Sequence, residues 1–231
     1  MSVPTRPTVA VVDYGMGNLF SVCHACERAE MGAFVTDRPA DVASADAVLL
    51  PGVGAFGDAM DRLRERGLVE PLRERSRAGR LVVGICLGQQ LLMTESHEFG
   101  RHRGLGLIEG DVVRFAETDR AGRPVKVPHV GWDRVRRPAG AGDPWAGSPL
   151  AGLPDGTAMY FVHSFYARPA DPRVVLAWGR YGGTEFCSAL RAGNTFAFQF
   201  HPERSGPEGM RVYHTIAALA RGRSDEVPRA A

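Results

Sequence analysis

Four short apolar runs, each followed by a turn and then a helical pattern, constrain this chain more than any other feature. Residues 8–13 (TVAVVD), 33–36 (AFVT), 47–50 (AVLL) and 81–85 (LVVGI) have strand length and are nearly continuously apolar. Strands of that kind are buried on both faces, as in a parallel sheet covered by helices. Between them, Leu19, Val22, Cys23 and Cys26 fall at i, i+3, i+4 and i+7, one face of a helix. Phe56, Met60, Leu63 and Gly67 space a second helix, residues 68–78 continue it after a break, and residues 87–96 are expected to form a helix directly after the fourth strand.

The second half is patterned differently. Residues 111–115, 125–135, 158–166, 174–181 and 185–191 are strand-like and separated by turns, which suits antiparallel ribbons. Residues 195–200 alternate and are placed to rejoin the main sheet, and residues 209–219 make a closing helix. Residues 138–149 are rich in Pro, Gly and Ala and predict a surface loop. The expected architecture is α/β: a flavodoxin-like, mostly parallel central sheet with helices on both faces, plus antiparallel strands in the second half. One domain is expected over residues 1–231, with 1–7 and 222–231 loose.

Composition narrows the function classes. The 231 residues are 44% hydrophobic and 23% charged, with a net charge of +2. That balance argues against a disordered chain and against a nucleic-acid or membrane surface as partner. No apolar run reaches the length needed to cross a bilayer, and residues 1–15 carry no secretory signal pattern, so the expected compartment is the cytoplasm. Four cysteines are too few for a disulfide framework. Cys23-His24-Ala25-Cys26 lies on the helical apolar stripe and has no second ligand pair, so no metal is expected. The arginines of residues 62–80 alternate with glutamates and read as a solvated helix face.

The chemistry concentrates in two segments. In Gly84-Ile85-Cys86-Leu87-Gly88 a buried strand runs through Gly-x-Cys-x-Gly into a helix, the cysteine version of a nucleophile elbow. The tight turn lifts the sulfur into the crevice at the carboxyl ends of the strands, and the helix N-terminus favours the thiolate. Alone, the motif fits a buried structural cysteine equally well. The second segment is Phe198-Gln199-Phe200-His201-Pro202-Glu203. Strand alternation puts Gln199, His201 and Glu203 on one side. A carboxylate can then hold one imidazole nitrogen while the other serves a thiol. Cys86, His201 and Glu203 are therefore the candidate triad. The Leu87 amide, with Gly52 or Val53 of Pro51-Gly52-Val53-Gly54, forms the candidate oxyanion hole.

Gly-x-Cys-x-Gly-x-Gln (84–90) with a distant His-Pro-Glu (201–203) resembles the class I, triad-type glutamine amidotransferases. Residues 13–18 (DYGMGN), 51–57 (PGVGAFG), 128–132 (PHVGW), 160–165 (YFVHSF) and 199–205 (QFHPERS) are similar to the glutaminase subunits of imidazole glycerol phosphate synthase. Gln89 stands where sister subunits of anthranilate or guanylate synthesis usually carry histidine. The resemblance spans residues 8–219 and implies a glutaminase, working without a cofactor. It would supply ammonia from L-glutamine to a separate (β/α)8-barrel cyclase as a heterodimer in histidine biosynthesis. It implies that Gln90, Glu98, Ser164 and Phe165 bind substrate, Glu98 taking the α-ammonium. Tyr14, Asn18, Trp132, Tyr160 and Arg204 are the expected partner face, with arginine at 204 where relatives often have lysine. Trp132 fits a core position as well as an interface. The competing readings are an amidotransferase subunit of another synthase and a non-enzymatic flavodoxin-like binding module.

Overall fold

The computed structural model describes residues 6–140 and 142–222. The expected looseness of 1–5 and 223–231 lies outside the described residues. The first half alternates as β1 (Thr8–Val12), α1 (Leu19–Arg28), β2 (Gly32–Thr36), α2 (Pro39–Ser44), β3 (Ala47–Gly52), α3 (Phe56–Glu65), α4 (Val69–Arg77), β4 (Leu81–Cys86) and α5 (Leu87–Leu91). The second half carries β5 (Met93–Ser96), β6 (His102–Arg103), β7 (Ile108–Arg114), β8 (His129–Val135), β9 (Thr157–His163) and β10 (Phe165–Pro169). It closes with β11 (Val175–Tyr181), β12 (Thr184–Ala192), β13 (Thr195–Phe198) and α6 (Gly206–Ala220).

Seven strands form the central sheet in the order β11-β12-β13-β4-β3-β1-β2. From β2 to β13 every pairing is parallel, and β11 and β12 are added antiparallel at one edge. The parallel part has the flavodoxin-like strand order. Three of the four apolar runs are explained by two cores, one on each face; the fourth, 33–36, is the edge strand β2, where Phe34 and Val35 are exposed instead of buried. Val9, Val11, Leu49 and Val83 pack with α1 and α6 through Val22, Cys26, Val212 and Ile216. Ala10, Val12, Val48 and Leu50 pack with α3, α4 and α5 through Met60, Leu63, Leu72 and Leu91. A second sheet, β10-β7-β5-β6, and a two-stranded ribbon, β8-β9, are inserted in sequence between β4 and β11 of the main one.

The structure corrects several sequence expectations. The helix after Cys86 stops at Leu91, and Met93–Ser96 is a strand. The carbonyls of Leu91, Leu92 and Met93, which a longer helix would use, accept from the amides of Leu105, Leu107, Ile108 and Gly106 instead. Of residues 125–135 only 129–135 form a strand, since Pro128 has no N–H to continue the ladder. Residues 158–166 break at Ser164, where the chain leaves β8 as a partner and joins β7. Gly67 is not on the α3 face; it follows the helix at φ +66°. The loop over 138–149 is not wholly at the surface: Trp145 is fully buried, with its indole N–H donating to Leu176 O at 2.8 Å. Residue 141 lies outside the described residues.

The arginine-rich stretch is also not uniformly solvated. Arg75 is only 3% exposed. Its guanidinium donates to four backbone carbonyls: Leu81 at 3.1 Å, Val42 at 3.0 Å, Ala45 at 2.8 Å and Asp46 at 2.7 Å. It thereby ties α2 and α4 to the starts of β3 and β4, and the rigid fork of five donors suits that task. Replacing Arg75 with methionine orphans these carbonyls. The expected cost is about 3 kcal/mol or more, read as a fall in melting temperature of roughly 6–12 °C. The exposed Arg77→Met control should stay within about 0.5 kcal/mol of the parent. Equal melting of the two variants would contradict the assignment.

Candidate active site

The carboxyl ends of β4 and β13 make the site. Parallel pairing sets Gly52 of β3 opposite Cys86 of β4, and Phe198 of β13 opposite Ile85. Cys86 has φ +57° and ψ −111°, a strained conformation for a residue with a side chain. The glycines on either side make the turn possible. A Cβ on Gly84 would lie 2.7 Å from Gly88 O, and one on Gly88 would run into the backbone carbonyl of Leu50. The elbow leaves the Cys86 side chain 7% exposed, at the wall of a cavity of about 630 Å³.

Past β13 the chain reaches His201 and then a 3-10 turn, Pro202–Arg204. This turn, rather than strand alternation, brings Glu203 back onto the imidazole: His201 Nδ1 and Glu203 Oε1 are 2.7 Å apart. Both side chains are buried. The backbone holds the pair in place. His201 N–H donates to Tyr160 O at 2.9 Å, while the Ser205 hydroxyl donates to His201 O at 2.6 Å and accepts from Tyr160 N–H at 3.0 Å. With Nδ1 committed to Glu203, His201 Nε2 has no hydrogen-bond partner among the described residues, and His201 lines the same cavity as Cys86. Burial disfavours the charged ring, but the Cys86 sulfur and the Glu203 carboxylate outweigh it and push His201 up to about 10.

The same cavity is lined by Val53, Leu87, Gln90, Glu98, Ser164 and Phe165, so the expected substrate residues and two of the three oxyanion residues converge on it. Gly52 lies just behind, beside Cys86, where any Cβ would collide with the Tyr14 hydroxyl. Glu98 Oε2 accepts from the Phe56 N–H at 2.6 Å at the start of α3, and burial raises its pKa. The Gln90 side-chain nitrogen donates to Phe165 O and to Gln199 Oε1, both at 3.0 Å.

The expected partner face is corrected at one position. Tyr14 is fully buried and its hydroxyl donates to Pro51 O at 2.9 Å, so it braces the strand carrying Gly52 and offers no surface. Trp132 is 59% exposed, which excludes the core alternative. Its ring meets Tyr160 edge-on at 6.1 Å, and the Arg204 guanidinium lies 4.5 Å over the Tyr160 ring. Asn18 is exposed and caps α1, accepting from Ser21 N–H at 3.4 Å.

Two features were not singled out from sequence. Gln199 Nε2 lies 3.8 Å from Cys86 Sγ; the strand alternation that faces Gln199 and His201 the same way was the available signal. His163 also lines the cavity. Its Nδ1 donates to Phe165 O at 2.8 Å, so its Nε2 accepts from His129 Nδ1 at 3.2 Å. Burial holds His163 neutral, down to about 3. Among the described residues, no group of three or more His, Cys, Asp or Glu side chains converges as a metal site, and all four cysteines are free.

A profile of the glutamine amidotransferase class-I family matches residues 10–217. An imidazole glycerol phosphate synthase subunit HisH from Syntrophotalea carbinolica is 48% identical over 207 residues, 88% of this chain and 96% of its own. One from Moorella thermoacetica is 44% identical over 216 residues, 94% and 96% of the two chains. Among solved structures, PurLQS from Thermotoga maritima shares the fold with TM-score 0.68 at 20% identity, covering 93% of this chain and 99% of that one. The Trypanosoma brucei CTPS glutaminase domain with bound acivicin does so with TM-score 0.66 at 14% identity, covering 97% and 98%. The chain belongs to the class-I glutamine amidotransferase family and, within it, to the HisH subunits of imidazole glycerol phosphate synthase.

Proposed function

We propose that the protein hydrolyses L-glutamine to glutamate and ammonia through Cys86, His201 and Glu203, and delivers the ammonia to a (β/α)8-barrel cyclase as a heterodimer in the cytoplasm. There it would serve the synthesis of imidazole glycerol phosphate and an aminoimidazole carboxamide ribotide. The observation that carries this reading is a cysteine held at positive φ on a strand end, in one cavity with a carboxylate-bound imidazole. A single amidotransferase domain over the whole chain is part of the proposal, supported by the family match over residues 10–217.

The chemistry follows from proton positions. The Cys86 thiolate attacks the side-chain amide carbon of glutamine, and the carbonyl oxygen becomes an oxyanion held by the N–H of Leu87 with that of Gly52 or Val53. The imidazolium gives its Nε2 proton to the amide nitrogen, the C–N bond breaks and ammonia leaves. Neutral His201 then takes a proton from water as the water oxygen attacks the glutamyl thioester. The C–S bond breaks, and thiolate and imidazolium are restored. Glu203 keeps Nδ1 protonated and the ring oriented. Glu98 is placed to take the α-ammonium, and Gln90, Ser164 and Phe165 to fix the remainder of the substrate. For docking, the Trp132–Tyr160–Arg204 stack and Asn18 are the proposed contacts. The exposed indole supports this, because a large apolar ring beside a planar cation is the composition that interfaces favour. Arg204 would meet a carboxylate of the cyclase.

Two measurements test the reading. Ammonia release is assayed for the parent and Cys86→Ala, each alone and with the cyclase holding its own substrate. The parent should be stimulated only in the complex, and Cys86→Ala should lose on the order of 10⁶-fold. Comparable turnover by the variant removes the nucleophile, and an unstimulated parent removes the coupling. The second measurement is the alkaline limb of the pH profile. A ring whose pKa is raised keeps its proton at neutral pH and loses it as pH climbs through about 10. Glu203→Gln withdraws one negative partner, lowers that value, and should move the alkaline limb to lower pH while kcat falls. An unmoved limb contradicts the role given to Glu203.

A further inference from the structure

We infer that Gln199 is a further residue of the catalytic machinery: its side-chain amide donates to the Cys86 sulfur and stabilises the thiolate, and Gln90 sets it in that orientation. The inference rests on the reading of Cys86 as nucleophile. A backbone carbonyl can only accept, so the end of Gln90 that lies 3.0 Å from Phe165 O is its NH2 group. The other proton of that nitrogen goes to the Gln199 side chain, also at 3.0 Å, which identifies the facing atom as the carbonyl Oε1. The Gln199 NH2 is then left pointing at Cys86 Sγ, 3.8 Å away. One main-chain carbonyl thus fixes the orientation of two consecutive amides.

Gln199 is fully buried, and its own N–H is committed to Ser188 O at 2.9 Å, so neither backbone nor side chain can turn away to water. A buried NH2 without an acceptor is costly, whereas one facing an anion makes a charge-assisted hydrogen bond. His201 must surrender its proton during turnover; an amide does not titrate, so Gln199 keeps its donor on the sulfur during attack and again when the thiolate leaves the thioester. The titratable and charged groups around this sulfur are His201 and, from the turn after β1, Tyr14, with His97, Glu98, Arg114 and His163 in the cavity wall. An apolar change at Gln199 alters none of their charges directly.

The test is the pH dependence of Cys86 alkylation by iodoacetamide, with adducts mapped by mass spectrometry, alongside glutaminase kinetics in the complex with the cyclase. Gln199→Met keeps the volume and removes the donor. Its alkylation midpoint should rise by about one pH unit, a tenfold loss of thiolate below the midpoint, and kcat should fall about tenfold with KM for glutamine within about twofold. Isosteric Gln199→Glu should raise the midpoint further by placing an anion beside the sulfur. In the unaltered chain, the Gln199 side-chain amide resonances should shift when Cys86 is alkylated. An unchanged midpoint in either folded variant, or amide resonances that ignore alkylation, overturns the inference and leaves the glutaminase reading intact. Cys86 that fails to alkylate in the parent overturns both.

Discussion

The parallel pairing of β4 with β3 on one side and β13 on the other is the constraint on which the site depends. It places Gly52 beside Cys86 and carries the chain from Phe198 directly to His201. No local interaction would hold Cys86 at positive φ, a conformation costing about 1–3 kcal/mol. The strand is gripped from both sides, and α5 is pressed so close to β3 that Gly88 has no room for a side chain. The strain is thus spread over a sheet whose central strands, β3 and β4, are buried on both faces. The sulfur emerges at the carboxyl ends of the strands, where open α/β sheets place their ligands.

The imidazole is held by a different part of the molecule. Tyr160 of the β8-β9 ribbon accepts from the His201 amide, and Ser205 clasps both residues. The Tyr160 ring in turn lies beneath Arg204 and against exposed Trp132. The outer aromatic cluster and His201 are therefore separated by one hydrogen bond and one side chain. A protein pressing on that stack would bear directly on the backbone that positions His201. The proposed stimulation by a docked cyclase has in this contact a short physical route, distinct from the strand carrying Gly52 that Tyr14 braces.

Much of this arrangement was legible in the sequence because it follows from local pattern. Apolar runs of strand length, glycines around a cysteine and a histidine two residues before a glutamate report on backbone period and turn chemistry. They located β1, β3, β4, β13 and the candidate triad. What escaped depends on contacts between distant segments. The end of α5 is set by amides of residues 105–108 that capture its last carbonyls. Arg75 is identical in kind to its solvated neighbours until four carbonyls from three other segments close on it. Tyr14 sits in a motif that resembles a partner-facing loop, yet its hydroxyl is drawn inward by Pro51 O. Gln199 needed the position of Phe165 O, which belongs to a different sheet.

The most direct test of the central claim is chemical. A glutamine-analogue diazoketone carries the substrate's α-amino acid end and alkylates a thiolate only where that end is bound beside it. Incubated with the chain in complex with its cyclase and mapped by mass spectrometry, it should leave one adduct, on Cys86, with Cys23, Cys26 and Cys187 unmodified and excess glutamine protecting the site. An adduct distributed over the other cysteines, or none on Cys86, would contradict the account.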